Sequence, residues 1–208
     1  MNPLTIFLSG GPIMWPLLII AVCAIYFTIN RFMAFGQSGG TASGLLAEVL
    51  DMIKSGREGD ALRRAEEMNG PIAGTIATVL RNRNLPIDDV EREVEAIGEE
   101  YFVTLERYLP ALDTFTTLSP LLGLLGTILG MVKVFQQFSS ANNEEGKQKI
   151  LSGVGESLYA TAFGISIAVF CFAIYNYFSA RQRALRLETE QAANKVIAQM
   201  HEKSSGRR

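Results

Sequence analysis

The sequence predicts an all-α integral membrane protein with three transmembrane helices and a cytoplasmic helical domain. Charged side chains are excluded from three long stretches: none precedes Arg31, only Asp113 interrupts 108–132, and only Glu156 interrupts 150–180. A hydrocarbon core about 30 Å thick needs about 20 apolar residues in a helix, so each stretch is long enough to span it. Between the stretches, apolar residues recur at helical spacing and no segment alternates like a strand.

The first span is predicted at 12–35, after an outer N-terminal segment at 1–11. Its apolar run, PIMWPLLIIAVCAIYFTI, is followed by Asn30, Arg31 and Phe32, which is typical of a stop at a cytoplasmic surface. A cleaved signal peptide is the competing interpretation, but it would place a basic segment before the run and a small-residue cleavage site after it. The run has neither, so we expect a retained span.

The second span is predicted at 108–138 and the third at 150–180, joined by an outer loop at 139–149 and followed by a tail at 181–208. Basic residues that collect beside the spans indicate the cytoplasmic side. They are Arg31, Arg107, Arg181, Arg183 and Arg186, whereas Lys147 and Lys149 in the loop are offset by Glu144 and Glu145. We therefore expect the N-terminus outside, and 36–107 and the C-terminal tail in the cytoplasm.

The cytoplasmic domain is predicted to contain four helices after a small-residue linker, GQSGGTASG. The first covers LLAEVLDMIKSG, with Gly56 at the position of a C-terminal cap. The second covers Asp60–Met68, and the third runs from Pro71 to about Arg83. Pro86 followed by Asp88 and Asp89 indicates the start of the fourth. No stop signal precedes Pro110, so we expect long helices that extend from the membrane.

Enzyme, redox, metal and nucleic-acid functions find no support in the sequence. The single histidine, His201, excludes a multi-histidine metal site or a histidine triad within one chain. Cys23 and Cys171 both fall inside predicted spans and are interpreted as small apolar residues. The net charge of −2 does not suggest nucleic acid as a partner. We predict no catalytic residue, cofactor or metal, and the simplest interpretation of the cytoplasmic helices is an amphipathic bundle.

Small residues line the second and third spans and predict close helix packing. Membrane helices associate through small residues because these let backbones approach. Gly126 and Gly130 form a GxxxG pair in the second span. A comparable stripe of small residues at helical spacing, which includes Ser157 and Ala168, runs along the third span. The predicted packing residues are Pro120, Gly123, Gly126, Gly130, Gly153, Ala160 and Gly164.

Three polar residues beside these stripes are candidates for an ion pathway: Thr127, Glu156 and Thr161. If Lys133 and Lys149 mark the outer surface, Thr127 and Glu156 lie roughly 10 Å below it, and Thr161 about 7 Å deeper, at 1.5 Å per residue. The alternatives are a solvated Glu156 near a helix N-terminus and threonines bonded to their own backbone. Asp113 is expected at the inner interface and Lys133 at the outer one.

The motifs SPLLGLLGTILGMVKVF (119–135) and GVGESLYATAFGISIAVFCFAIYN (153–176) resemble the signature spans of the MotA/TolQ/ExbB proton-channel family. The upstream GDALRRAEEMNGPIAGTI resembles its cytoplasmic region, and three spans in a short chain resemble its TolQ/ExbB branch. The resemblance implies a bacterial inner-membrane homo-pentamer around a dimer of a single-span partner similar to TolR, ExbD or MotB. The resemblance further implies that this partner carries the ion-binding aspartate.

The resemblance also implies that Thr127, Glu156 and Thr161 face a central pore, with H⁺ as the ion. Na⁺ is a lesser possibility, because the two threonines could coordinate it through hydroxyl and carbonyl oxygens. The function it implies is the ion-conducting subunit of a motor that couples the ion motive force to mechanical work on the cell envelope. Asp113 and Tyr159 match no assigned position of the motif. A non-conducting oligomeric scaffold is the main alternative, and a small-solute transporter is a weaker one because no inverted repeat is visible.

Overall fold

A computed structural model describes residues 7, 10–38, 42–138 and 144–205, with the backbone alone at 37–38, 42–43, 137–138, 144–153, 156 and 203–205. Within these ranges there is no strand, and turns and short connections separate the helices. The helices are α1 (Met14–Ser38), α2 (Ala42–Lys54), α3 (Glu58–Glu66), α4 (Pro71–Arg81), α5 (Ile87–Glu106), α6 (Leu109–Phe138) and α7 (Glu144–Ser205).

Three helical stretches are long and apolar enough to cross a membrane by length and composition. They are Met14–Gly36, Ile87–Gln136 and Ser157–Glu202, and they contain the three apolar runs that the sequence predicts as spans. The predicted all-α class with three apolar spans is confirmed at this level.

The chain divides into two compact units. The first, here called the span unit, comprises the chain up to Ile29 together with Tyr108–Tyr177. The second, here called the bundle unit, comprises Asn30–Arg107 and the chain from Phe178 onward. The span unit thus contains most of α1, all of α6 and the first part of α7, and the bundle unit contains α2 to α5 with the C-terminal part of α7.

The helices of the bundle unit begin and end at the local signals that the sequence provides. At the end of α2, Gly56 has a positive φ of 80°, and the N–H groups of Gly56 and Arg57 donate to the carbonyls of Ile53 and Met52. This is the paired hydrogen-bond pattern of a glycine C-cap. Pro71 is the first residue of α4 and Pro86 caps α5, as predicted. The predicted second helix is shifted by two residues, because α3 covers Glu58–Glu66.

The core of the bundle unit surrounds α4, in which every residue from Pro71 to Leu80 except Gly74 is buried. A helix that is apolar all round needs neighbours on every side. Those neighbours come from α2, α3, α5 and the C-terminal part of α7, whose buried members include Leu45, Val49, Ile53, Ala61, Ala65, Phe102, Leu185 and Val196. Large aliphatic side chains therefore fill this core.

Although the sequence shows no stop signal before Pro110, the structure has a short break between the fourth helix of the cytoplasmic domain and the second span. Helix α5 ends at Glu106, residues 107–108 form a turn, and α6 begins at Leu109. Pro110 explains the break, because it lacks the N–H that would bond the carbonyl of Glu106 and its ring crowds that carbonyl. The last carbonyls of α5 are thereby left without their usual helical partners.

Arg31 satisfies two of these carbonyls. Its side chain is 3% exposed, and Nη1 donates to the carbonyl of Leu105 at 2.7 Å and that of Thr104 at 3.1 Å. Its Nη2 donates to the side-chain oxygen of Asn30 at 2.8 Å. A cation at a helix C-terminus is also favoured by the helix dipole. The residue that the sequence identified only as a cytoplasmic-side charge is thus a C-terminal cap for α5.

Part of the predicted outer loop at 139–149 is helical in the structure. Helix α7 begins at Glu144, so 144–149 are helical, and 139–143 lie outside the described residues. The helix continues to Ser205, so most of the predicted C-terminal tail is also helical. In the span unit, α1 packs through stacked rings, with Phe27 4.8 Å from Tyr108 and 6.0 Å from Phe115 between centroids.

Candidate functional site

Helices α6 and α7 cross in the span unit at a contact built from small residues. A Cβ placed on Gly164 would lie 2.5 Å from the carbonyl oxygen of Ser119, and one on Gly123 would lie 2.9 Å from the Cα of Thr161. A Cβ on Gly126 would lie 2.7 Å from the Cβ of Ala160. Real Cβ contacts are not this short, so the two backbones approach closely because these positions have no side chain.

The hydroxyl of Thr161 forms a hydrogen bond between the two helices. Its Oγ1 donates to the carbonyl oxygen of Gly123 at 2.8 Å. The alternative from the sequence, a threonine bonded to its own helix, is therefore wrong for Thr161. The missing side chain at Gly123 is the physical reason, because it exposes that carbonyl to α7.

The hydroxyl of Thr127 behaves differently. Its Oγ1 donates to the carbonyl of Leu124 in the same helix at 2.7 Å, which is the own-backbone alternative. In a regular α-helix the backbone N–H of Thr127 also reaches the carbonyl of Gly123. The two predicted pathway threonines thus donate to neighbouring carbonyls of α6, Thr161 to that of Gly123 from α7 and Thr127 to that of Leu124 from α6 itself.

Glu156 lies well inside α7, although its side chain lies outside the described residues. Because α7 begins at Glu144, position 156 is about three turns from the helix N-terminus, too far for a favourable placement at the helix end. Whether the acid is solvated at the outer rim or faces a pore stays a prediction. The dipole of a helix acts mainly within its first turn. The antiparallel contacts Ser119–Gly164, Gly123–Thr161 and Gly126–Ala160 place position 156 level with Gly130.

The other predicted packing residues have less specific surroundings. Gly130 is buried, and Pro120 is half-buried inside α6, where its missing N–H leaves the carbonyl of Thr116 without a helical donor. Gly153 lies in α7 but outside the residues whose surroundings are described. Asp113 and Lys133 are exposed, and Tyr159 is half-buried.

Ser119 is the residue of this crossing that sequence reasoning missed. It is fully buried, its hydroxyl donates to the carbonyl of Phe115 at 2.7 Å, and its own carbonyl is the group that Gly164 approaches. Its place in the sequence, directly before Pro120 and four residues before Gly123, was a usable signal. Positions four apart share one helix face, so Ser119 extends the small-residue stripe by one turn toward the N-terminus of α6.

The sequence model of the MotA/TolQ/ExbB proton channel family matches residues 60–191, a range that contains Thr127, Glu156 and Thr161. The biopolymer transport protein ExbB-like 3 of Synechocystis is 27% identical over 202 residues, which cover 94% of this chain and 95% of that protein.

Two further similarities cover less of the chain. The biopolymer transport protein ExbB-like 1 of Synechocystis is 26% identical over 176 residues, covering 81% of this chain and 67% of that protein. The Tol-Pal system protein TolQ of Haemophilus influenzae is 29% identical over 132 residues, covering 64% of this chain and 53% of that protein.

Proposed function

We propose that this chain is the ion-conducting subunit of a motor that acts on the cell envelope, because it belongs to the MotA/TolQ/ExbB proton channel family, in its TolQ/ExbB-like branch. The family and the three apolar helices together indicate an inner-membrane protein. In the proposed function, the subunit lets protons pass along their electrochemical gradient and couples this flow, through a single-span partner, to mechanical work on the cell envelope.

The observation that carries the ion-conducting role is the polar cluster at the α6–α7 crossing. The Thr161 hydroxyl donates to the carbonyl of Gly123 and the Thr127 hydroxyl to that of the next residue, Leu124, within otherwise apolar helices. Polar groups inside a membrane are costly and mark ion pathways or relays. With Glu156 nearer the predicted outer surface on the same helix as Thr161, the chain offers an acid followed by hydroxyls along one route.

The proposed assembly is a homo-pentamer around a dimer of a partner related to TolR, ExbD or MotB, with the N-terminus of this chain outside. Helices α6 and α7 support an assembly of several chains, because each leaves an apolar face uncovered in the single chain. On α6 this face includes Leu121, Leu124 and Ile128, and on α7 it includes Leu158, Val169 and Phe172, each more than half exposed. Lipid and neighbouring subunits would cover these faces.

The proposed cycle needs no covalent step in this chain. The partner's aspartate takes up a proton that arrives from the outer side past Glu156, becomes neutral, and passes the apolar wall between subunits. It then releases the proton to the cytoplasm. Each charge that crosses yields about 2.3 kcal/mol per 100 mV of membrane potential. A mismatch between five subunits and two partner helices would turn successive protonations into steps of rotation.

Proton flux in proteoliposomes containing the chain and its single-span partner tests this proposal. We expect Glu156→Gln and Thr127→Ala to reduce proton flux at least tenfold while the complex keeps its native mass. Thr116→Ala is the matched control, because Thr116 also lies on α6 and donates to a carbonyl three residues before it. Unchanged flux in Glu156→Gln and Thr127→Ala would favour the non-conducting scaffold. A sodium gradient imposed without a proton gradient separates Na⁺ from H⁺ conduction.

A further inference from the structure

A groove runs along the bundle unit between α5 and the C-terminal part of α7. It has a volume of about 440 Å³, and all of its lining residues belong to the bundle unit. Its floor is buried and consists of Thr75, Gly98, Phe102, Ala193 and Ile197. The Thr75 hydroxyl donates to the carbonyl of Pro71 within α4 at 2.9 Å, and a Cβ on Gly98 would meet the Thr75 methyl carbon, Cγ2, at 3.8 Å. The floor therefore offers mainly apolar contacts.

The rim of this groove is acidic. It carries the carboxylates of Glu91, Glu95 and Glu99 from α5 and of Glu190 from α7. Because the three acids of α5 follow one another at four-residue spacing, they share one helix face and repel each other. In the part of the chain that the structure describes, Glu91 and Glu95 are exposed and form no ion pair. A cation placed beside them would relieve the repulsion, so the rim favours a cationic occupant.

The side chain of Arg186 shows how a cation fits this groove. Its guanidinium carbon lies 5.2 Å from the centre of the Phe102 ring, a cation–π contact. It also donates to the carboxylate of Glu99, and its Nε lies 4.0 Å from Oε1 of Glu190. Among the described residues that line the groove, Arg186 is the only basic one. The stretch beside Glu91 and Glu95 thus has an acidic rim without a cation from this chain.

We propose that this groove binds the cytoplasmic segment of the single-span partner, through Lys or Arg side chains that pair with Glu91 and Glu95. The inference rests on the proposed function, which supplies the partner and places the bundle unit in the cytoplasm. A protein that spans the membrane once and acts outside has its other end in the cytoplasm, and cytoplasmic flanks carry an excess of Lys and Arg.

The floor and the rim together match such side chains. Lys and Arg lay their methylene groups along apolar surface while the charged end reaches polar groups. The methylene groups would lie on the floor near Gly98 and Ala193, and the charged ends would reach the carboxylates of the rim. Exposed ion pairs are individually weak. A bound segment can therefore leave one groove for that of the next subunit between the steps of the proposed rotation.

Photo-cross-linking in the complex of the full chain and its partner tests which molecule occupies the groove. A benzoyl-phenylalanine is introduced at Asn194, an exposed residue of α7 that lines the groove. We expect mass spectrometry to find its cross-links in the cytoplasmic segment of the partner. The control position is Gln191, which is exposed on α7 outside the groove and should give no such product. Cross-links from position 194 only to another copy of this chain, or none at all, would overturn the proposal.

Charge reversal on the rim tests the recognition itself. Glu91→Lys combined with Glu95→Lys should lower the yield of the cross-link to the partner about tenfold, because two attractive charges become repulsive. Glu93→Lys combined with Glu100→Lys is the matched control, since it makes the same change of net charge on exposed positions of α5 outside this groove. Equal yields in the two double variants would contradict recognition by the acidic rim.

Proton flux measured on the same samples separates this proposal from the proposed function. Flux through an unsubstituted complex whose groove cross-links only to copies of this chain would keep the proposed function and overturn the docking site. A cross-link to the partner in an unsubstituted complex that conducts no protons would support the docking site and overturn the proposed function.

Discussion

The two units of the chain pack their helices with opposite kinds of residue. In the bundle unit, large aliphatic side chains such as Val49, Ile53, Ile76 and Leu80 are fully buried or nearly so, and they separate the helix backbones. In the span unit, the crossing of α6 and α7 is made where side chains are missing, at Gly123, Gly126 and Gly164. Helix packing in the bundle unit therefore depends on large side chains, whereas packing at the crossing in the span unit depends on positions without a side chain.

The difference teaches how the surroundings of a helix decide its packing. In water, burying apolar surface stabilises by about 25 cal/mol per Å², so large side chains are favoured between helices. In lipid, an apolar side chain gains nothing by leaving the acyl chains, so association depends on close van der Waals contact and hydrogen bonds. The Thr161 bond to the Gly123 carbonyl is of the second kind, and it requires the close approach.

The largest expected effect lies in the core of the bundle unit. Ile76 is fully buried, so Ile76→Ala removes apolar volume and leaves a cavity, and we expect the free energy of unfolding to fall by about 2–5 kcal/mol. Denaturant titration of the purified chain in detergent measures it. Leu85→Ala is the control, because Leu85 is 48% exposed and should change stability by less than about 0.5 kcal/mol. Equal losses in the two variants would contradict the assigned core.

The second effect is expected at the helix crossing, where an added side-chain atom should lower the stability of the span unit. Gly164→Ala puts a Cβ 2.5 Å from the Ser119 carbonyl and should destabilise the span unit by about 1–3 kcal/mol through overpacking. Gly155→Ala, on the same helix, has nothing within 4 Å of its new Cβ and is the matched control. Thermal stability in detergent compares the two. The comparison between units fails if Gly164→Ala is as stable as Gly155→Ala.

A comparable or smaller effect is expected at the cap that Arg31 provides. Arg31→Met leaves the carbonyls of Thr104 and Leu105 without their donor, at a cost of about 1–3 kcal/mol. We expect faster hydrogen exchange of the backbone amides at the end of α5. Arg31→Lys, which keeps the charge but not the forked donor, should recover only part of the protection. Unaltered exchange in Arg31→Met would show that the cap does not stabilise this helix end.

The smallest effect should have the opposite sign and concerns a glycine of the bundle unit. A Cβ on Gly98 would meet the Cγ2 of Thr75 at 3.8 Å, an ordinary contact. Gly98→Ala should therefore raise stability by up to about 1 kcal/mol, because alanine is the better helix former. The denaturant titration used for Ile76→Ala measures it. A clear loss would mean that glycine is needed for packing in both units.

Much of the local structure followed from the sequence because its signals act over a few residues. Gly56 ends α2, Pro71 begins α4 and Pro86 begins α5, as their backbone preferences predict. The break before Leu109 and the helical start of α7 at Glu144 were not predicted. A proline in the first turn is compatible with starting a helix or ending the previous one, and the charged stretch 144–149 resembled a loop by composition alone.

The sequence by itself determined the class, the three apolar spans, the family resemblance and the residues of the candidate site, because hydropathy, spacing and motif letters are all local. Only the tertiary structure decided which atoms those residues contact. It showed that Arg31 caps α5 and that Ser119 belongs to the crossing of α6 and α7. It also showed that Thr161 of α7 donates to a carbonyl of α6, whereas Thr127 donates within its own helix. The physical reason is that a hydroxyl donates to whichever carbonyl lies within hydrogen-bond distance. For Thr161 that carbonyl belongs to Gly123, because α6 and α7 approach each other closely at this glycine.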